Sequence, residues 1–168
     1  MRKKALVMAM GLLFLGVAYS SLSRAASGGG VAILSFKTLF PLEAPYIGAT
    51  NSIRGIPGAG AQWAITHGSG ELHVDGRLKV RTKGLIVVKL GNNPVTMFQA
   101  VVSCMSIGAG PTATVVNVST DPYPADMHGD SLVNTHIDLP SPCVAPIIFV
   151  TIPASMSGVQ RWIAVTGK

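Results

Sequence analysis

Short apolar runs that end at turn residues limit the possible folds of this chain more than any other feature. From Trp63 onward, runs rich in valine, isoleucine and threonine end at Gly, Pro, Asn or Asp, as β-strands joined by turns do. The runs are QWAIT, ELHV, RLKVRTK, GLIVVKL, VTMFQAVVSCM, ATVVNVS, SLVNTHIDL, VAPIIFVTI and RWIAVTG. No window has apolar residues at helical spacing over the length of a helix. We therefore predict an all-β single domain over residues 55–168, an antiparallel β-sandwich or small barrel.

The first 25 residues have the features of a secretory signal peptide. A basic start precedes an apolar run of 18 residues, and Ser23 and Ala25 supply the small residues of a cleavage site. We expect cleavage after Ala25. The alternative is an uncleaved anchor, although 18 residues is near the lower limit for crossing a bilayer. Residues 26–54 then form a leader in which VAILSFKTLF is either a first strand or the end of a membrane-proximal segment.

Removal of the signal peptide changes the charge of the chain. Arg2, Lys3, Lys4 and Arg24 leave with it, so nine basic and seven acidic residues remain and the net charge falls from +6 to +2. This charge gives no support to nucleic-acid binding. No later run is long enough to span a membrane. We expect a protein that is secreted, periplasmic or held at the cell surface, with an envelope or extracellular polymer as the class of partner.

The chain has two cysteines, Cys104 and Cys143. An even number in an exported protein predicts one disulfide bond, and two separate buried thiols are the alternative. A bridge that closes a loop of about 40 residues would raise the free energy of unfolding by about 3–4 kcal/mol in the chain-entropy model.

A hairpin is predicted around Asp75-Gly76, which is a strong turn signal. A turn one residue longer than the simplest two-residue turn places the apolar side chains of both strands on one face. This register pairs Val74 with Leu78, Leu72 with Val80, His73 with Lys79 and Glu71 with Arg81.

The second strand of this hairpin has basic residues at every second position. They are Arg77, Lys79, Arg81 and Lys83. One interpretation is the solvated face of a half-buried strand, where alternating charge is ordinary. The other is an anion-binding patch for an acidic polymer, although no aromatic residue lies among the four.

The sequence offers no coherent catalytic set, and we assign no catalytic residue. His67 lies beside turn glycines and Ser69, and alternation places His136 with Asn134 and Asp138 on one strand face. The Gly-x-Ser-x-Gly motif is absent. A small secreted hydrolase or lyase built around His67, His136 or the loop 121–130 is the alternative to a protein without enzymatic activity.

The loop DPYPADMHGD contains the candidate metal ligands. They are Asp121, Asp126, His128 and Asp130. Calcium prefers oxygen ligands of the kind that carboxylates provide, and calcium is the one cofactor that we consider. The spacing and terminal Glu of an EF-hand are absent, and Pro122, Pro124 and Gly129 also explain this segment as a plain connection between strands.

Trp63 and Trp162 each lie in a strand-like run. A tryptophan side chain buries a large apolar area, so we expect both in the core. The alternative is an aromatic platform that binds sugars.

Several stretches together resemble an uncharacterised group of secreted bacterial proteins. They are NSIRGIPGAGAQW (51–63), DGRLKVRTKGLIV (75–87), NPVTMFQAVVSC (93–104), LPSPCVAPIIFVT (139–151) and WIAVTG (162–167). The resemblance implies export, a Cys104–Cys143 bridge and a compact β domain. It implies no activity, ligand or catalytic residue, because the group has none established. The leading hypothesis is an exported β domain that acts by binding or as a structural component, and the rivals are the hydrolase and the salt-sensitive polymer binder.

Overall fold

The computed structural model describes residues 30–107 and 112–167. Within these ranges the chain forms twelve strands and one single-turn helix. The strands are β1 (Ala32–Phe36), β2 (Leu39–Pro41), β3 (Trp63–Ala64), β4 (His67–His73), β5 (Arg77–Lys83), β6 (Ile86–Val87), β7 (Met97–Ile107), β8 (Ala113–Ser119), β9 (Tyr123–Pro124), β10 (Ser131–His136), β11 (Val144–Ile152) and β12 (Arg161–Thr166), and the helix is α1 (Ala154–Ser157). No helix of the described ranges is long and apolar enough to cross a membrane.

The strands form two antiparallel sheets that pack face to face. Sheet A has the order β1-β4-β5-β10, and sheet B has the order β2-β12-β11-β7-β8, with β9 also paired to β7. A separate two-stranded sheet joins β3 to β6. Val80 and Val133 of sheet A meet Phe98 and Val150 of sheet B in the layer between them. The predicted antiparallel sandwich is confirmed, and it is not a closed barrel.

The two tryptophans lie in the core, as predicted. Trp63 and Trp162 are 3% and 2% exposed. The ring of Trp63 meets that of Phe98 edge to face at 6.3 Å, and the ring of Trp162 lies 6.3 Å from that of Phe149. Since neither indole is displayed to solvent, neither provides a platform for stacking a sugar.

The predicted disulfide bond is present. Cys104, in the middle of β7, is fully buried, and its sulfur is bonded to that of Cys143, one residue before β11. The two Cα atoms are 5.0 Å apart, within the normal range for a bridge. The bond ties two neighbouring strands of sheet B and encloses the chain between them.

The sandwich begins before residue 55. The run VAILSFKTLF forms two strands, β1 in sheet A and β2 in sheet B. β1 pairs with β4, and β2 pairs with β12, so the chain has contributed to both sheets by Pro41. The predicted signal peptide, residues 1–25, lies outside the described residues.

The hairpin turn differs from its predicted register. Leu72 pairs with Leu78 and Glu71 with Lys79, so the proposed partners Val80 and Arg81 are wrong by two positions. The amide of Gly76 donates to the His73 carbonyl (3.0 Å), and Gly76 has φ +90°. This is a three-residue loop that ends in a left-handed glycine. A shift of two residues keeps each side chain of the paired strands on its face, so the predicted faces survive except at Val74, which lies in the turn and is 60% exposed.

The run GLIVVKL is mostly a turn. Only Ile86 and Val87 are in a strand. The carbonyl of Val87 accepts hydrogen bonds from the amides of Leu90 and Gly91, which reverses the chain. Because it turns here, Leu90 is exposed to solvent instead of continuing a strand.

Residues 42–62, which we call the cover loop, lie over the outer surface of sheet B. The amide of Ala59 donates to the Trp162 carbonyl, and the amide of Trp162 donates to the Pro57 carbonyl. The ring of Tyr46 packs 6.1 Å from that of Trp162. Sheet B is therefore covered on this side, whereas this loop does not cover the outer surface of sheet A, where Lys79, Arg81 and Lys83 are exposed.

Arg54 fastens the cover loop to sheet B, a role that sequence reasoning did not find. Its guanidinium donates to the carbonyls of Ser103 (2.7 Å) and Ala145 (2.9 Å). The side chain of Asn117 donates to the Arg54 carbonyl (3.0 Å). The Arg54 guanidinium thus joins the cover loop to β7 and β11, which are distant from it in sequence.

Replacement of Arg54 by alanine is expected to lower the free energy of unfolding by about 2 kcal/mol, because two charge-assisted hydrogen bonds are lost at a partly exposed site. Arg54→Lys should restore only part of this, since an ammonium cannot reproduce the planar fork. Urea unfolding followed by tryptophan fluorescence measures both. Lys89→Ala, at an exposed turn, is the control and should change stability by less than about 0.5 kcal/mol. An Arg54→Ala protein as stable as this control would contradict the assigned role.

Candidate binding face

The basic stripe of β5 lies on the outer surface of sheet A. Leu78, Val80 and Thr82 are buried in the sandwich. The intervening basic residues point outward, with Arg77 half-buried and the other three exposed. The alternation follows from the strand period of two. We call this outer surface the basic face; its charged and titratable residues include Lys37, Glu71, His73, Arg77, Lys79, Arg81 and Lys83. His67 and His136 share this face, because they pair with Lys83 and Arg77.

Two shallow depressions on the basic face join into one continuous surface. The larger, about 310 Å³, is bordered by polar side chains of β1, β4 and β5. These are Ser35, Lys37, Ser69, Glu71, Lys79 and Arg81. The smaller, about 210 Å³, adds His73, Arg77 and Asn134. Both depressions include Glu71 and Lys79, so a ligand longer than either one can lie across the sheet.

Lys37 is a member of this surface that the sequence did not reveal. It follows β1, about forty residues before the stripe, and it joins Lys79 and Arg81 because β1 pairs with β4 and β4 pairs with β5. A signal that could have found it is the alternation of Ser35 and Lys37 with Leu34 and Phe36, which predicts a half-buried strand.

Most cations of the basic face have no acidic partner. Arg77 Nε donates to Asp75 Oδ2 at 2.9 Å, and His73 Nε2 lies 3.6 Å from Glu71 Oε2. These are the ion pairs found in the described ranges. The remaining four cations of the basic face are therefore free to meet a ligand: Lys37, Lys79, Arg81 and Lys83.

Arg77 lies on the basic face and also forms an ion pair with Asp75 in the hairpin turn. Hydrogen bonds to Asp75 from the Arg77 side chain, and then from its backbone amide, lower the pKa of that carboxyl. A group with a lowered pKa stays ionised, and its contribution to stability is lost only as the pH falls through the lowered value. The Asp75–Arg77 pair therefore persists in mildly acidic solution and keeps Arg77 partly neutralised.

The charges of the domain are segregated. Of the eight Lys and Arg side chains in the described residues, five are on the basic face. Four of the seven acidic residues instead lie between residues 121 and 138: Asp121, Asp126, Asp130 and Asp138. Although the eight basic and seven acidic side chains of the described residues nearly balance, the larger depression has three cations around one carboxylate.

The candidate metal ligands organise their own loop. Asp126 Oδ1 accepts hydrogen bonds from the amides of His128 and Asp130, both at 2.9 Å. Asp130 Oδ1 accepts one from the amide of Gly84 at 3.0 Å, and Asp121 stands apart. In the part of the chain that the structure describes, no group of three or more His, Cys, Asp or Glu could hold a metal ion. Calcium remains a prediction without a ligand cluster to support it.

The candidate catalytic residues are spread over the molecule. His67 pairs with Lys83 at one end of β5, and His136 pairs with Arg77 at the other, so about 20 Å separates them. Another serine, Ser103 of β7, is fully buried and is not accessible to a substrate. Asp121, His136 and Asp138 do border one depression of about 270 Å³, but no hydrogen bond among the three is found in the described residues.

Comparisons with protein-family models, with curated proteins and with solved structures find no match to this chain.

Proposed function

We propose that this chain is an exported binding domain that holds an acidic polymer of the cell envelope or extracellular matrix on its basic face. The observation that carries the proposal is the group of four unpaired cations on the sheet surface that the cover loop leaves bare. Such an arrangement attracts polyanions by charge and holds them without chemical change.

The composition of the face favours an acidic polysaccharide as the class of polymer. Ser35, Ser69 and Asn134 supply hydrogen-bonding groups beside the cations. Phe36 is the aromatic residue among those that line the two depressions, and it is 6% exposed, so no ring is offered there for stacking. Both single-stranded nucleic acids and neutral sugars depend strongly on such rings. Carboxylate or sulfate groups, by contrast, need only the charges and hydrogen bonds that this surface has.

Removal of two central cations is expected to weaken binding about 30-fold. Lys79→Gln with Arg81→Gln removes two contacts, each contributing about 1 kcal/mol near an anionic surface. The measurement is the affinity of the mature protein for polygalacturonate, and for dextran sulfate, between low and high salt. The slope of log affinity against log salt should become about 1.4 shallower, at about 0.7 for each lost contact.

Lys89→Gln is the matched control, because it removes an exposed cation away from β5 and should leave both affinity and slope unchanged. Neutral dextran should not bind. Binding that is unchanged in the double variant, or that resists high salt, would refute the basic face as the binding site. Failure of the wild-type protein to bind either acidic polymer would remove the proposal.

A further inference from the structure

The edge of sheet B formed by β8 is open and unprotected. Among the described residues, β8 pairs with β7 on one side and with no strand on the other. It is seven residues long, Ala-Thr-Val-Val-Asn-Val-Ser, without a charged residue, proline or glycine. Val115 is 42% exposed. Long, uncharged edges of this composition are a ready template for pairing with another strand.

The other three sheet edges have features that oppose such pairing. β1 contains a register irregularity between Ala32 and Leu34, and β2 has three residues and ends at Pro41. The edge of β10 is partly covered, since the Tyr123 hydroxyl donates to the Asn134 carbonyl (3.2 Å) and Ala125 bridges to Ser131. Bulges, short strands, proline and covering segments are the usual means of blocking an edge. β8 is the exception among the four.

The hydrogen-bond pattern shows which groups β8 offers. The amide of Thr120 donates to the Ala100 carbonyl (2.9 Å) in the register that continues the β7–β8 pairing. Opposed residues of an antiparallel pair alternate between bonded and non-bonded, so the even residues of β8 are bonded to β7. The odd residues therefore direct their backbone N–H and C=O groups outward: Ala113, Val115, Asn117 and Ser119.

We propose that β8 pairs antiparallel with β8 of a second copy of this chain. A strand that meets its own copy is self-complementary only if no like charges oppose each other, and β8 has no charged residue. Five of the eight Lys and Arg side chains of the described residues lie instead on the outer surface of sheet A, one layer away. The guanidinium of Arg54, which is close to β8 in the fold, donates to the carbonyls of Ser103 and Ala145. The depression of about 270 Å³ that borders β8 touches only its last two residues, Val118 and Ser119, whereas a groove that selects the side chains of a foreign peptide follows the length of the strand.

This pairing joins the two copies of sheet B into one continuous sheet. The two-fold axis that relates the two antiparallel β8 strands is perpendicular to the sheet, so the same face of sheet B points to the same side in both copies. Both copies of sheet A, and both basic faces, then point in the same direction. The inference does not depend on the proposed function, but under it a dimer would engage one polymer at two sites and gain avidity.

Sedimentation equilibrium of the mature protein between about 1 and 200 µM tests the pairing. We expect a dimer with a dissociation constant on the order of 10 µM, because pairing along one strand lies at the low end of interface size. Val115→Pro removes an outward N–H from each copy and should weaken the dimer about 30-fold. Val115→Lys brings like charges together and should weaken it at least about tenfold. Val115→Thr keeps a neutral β-branched edge and should have no effect.

Loss of the dimer in both variants, with the native near-ultraviolet circular dichroism retained, would establish the β8 edge. A wild-type protein that is monomeric at every concentration would overturn the proposal. A dimer that resists both Val115→Lys and Val115→Pro would also overturn it, since the interface would then lie elsewhere.

Discussion

Reduction of the Cys104–Cys143 bond is expected to lower the free energy of unfolding by about 3–4 kcal/mol. The bond joins residues 39 apart in sequence, and its loss frees the unfolded chain from that closed loop. For a domain of this size, such a loss is a large part of the total stability. The measurement is a pair of urea unfolding curves for the same protein of residues 26–168, oxidised and reduced.

The reduced wild-type protein is a better comparison than a serine variant. Cys104 is fully buried, so a serine there would add the cost of an unpaired hydroxyl to the loss of the bond. The double variant Cys104→Ala, Cys143→Ala should lose more stability than reduction does, because it also leaves a cavity beside β7. Equal urea midpoints for the oxidised and reduced proteins would show that the bond adds no stability.

Replacement of Gly129 by alanine is expected to destabilise the protein by about 3–5 kcal/mol. Gly129 has φ +77°, and a Cβ built there would lie 2.0 Å from the Leu85 carbonyl oxygen, which is backbone and cannot turn aside. The Gly129 carbonyl accepts hydrogen bonds from the Leu85 amide (3.3 Å) and the Thr82 hydroxyl (3.1 Å). A shift of the loop to relieve the clash would therefore break the contacts that join it to sheet A.

Gly91→Ala is the matched control for this change. Gly91 also has a left-handed conformation, with φ +69°, but a Cβ there meets nothing within 4 Å. Gly91→Ala should lower the free energy of unfolding by only about 1–2 kcal/mol, the cost of a left-handed backbone for a residue with a Cβ. Thermal or urea unfolding of the two variants separates the cost of the left-handed backbone from the cost of the steric clash. Equal losses in both would show that the loop after Asp126 moves freely enough to absorb the extra atom.

The local periodicity of the sequence was sufficient to predict the class of fold and the orientation of the stripe. Alternation along β5 places Leu78 and Val80 inside and Lys79 and Arg81 outside, whichever register the hairpin adopts. The register itself depends on which residues form the turn. Because Gly76 has a left-handed conformation, the turn consists of residues 74–76, and Leu72 pairs with Leu78 instead of the predicted Val80. An apolar run such as GLIVVKL misleads for a similar reason, because it gives no sign that the chain reverses after Val87.

The two residues that could not be predicted from the sequence take their positions from contacts between distant segments. Lys37 joins the basic face through two strand pairings, and Arg54 meets the carbonyls of Ser103 and Ala145 through a loop folded over sheet B. The local alternation around Lys37 predicts a half-buried strand but not which strands lie beside it, and Arg54 has no local pattern that marks its role. In the candidate metal loop, closeness in sequence was misleading instead. Asp126 accepts hydrogen bonds from backbone amides of its own loop, and Asp130 accepts one from the Gly84 amide.

The segment enclosed by the disulfide bond contains β8, β9 and β10, and with them the connection by which the chain leaves sheet B and enters sheet A. A protease that cuts once between Cys104 and Cys143 therefore releases no fragment, because both new ends stay covalently attached. The exposed turn around Met127 can be nicked while the two sheets remain joined. Under the proposed export, the domain would meet proteases where reductants are scarce, and a cut in that loop would leave it as one molecule.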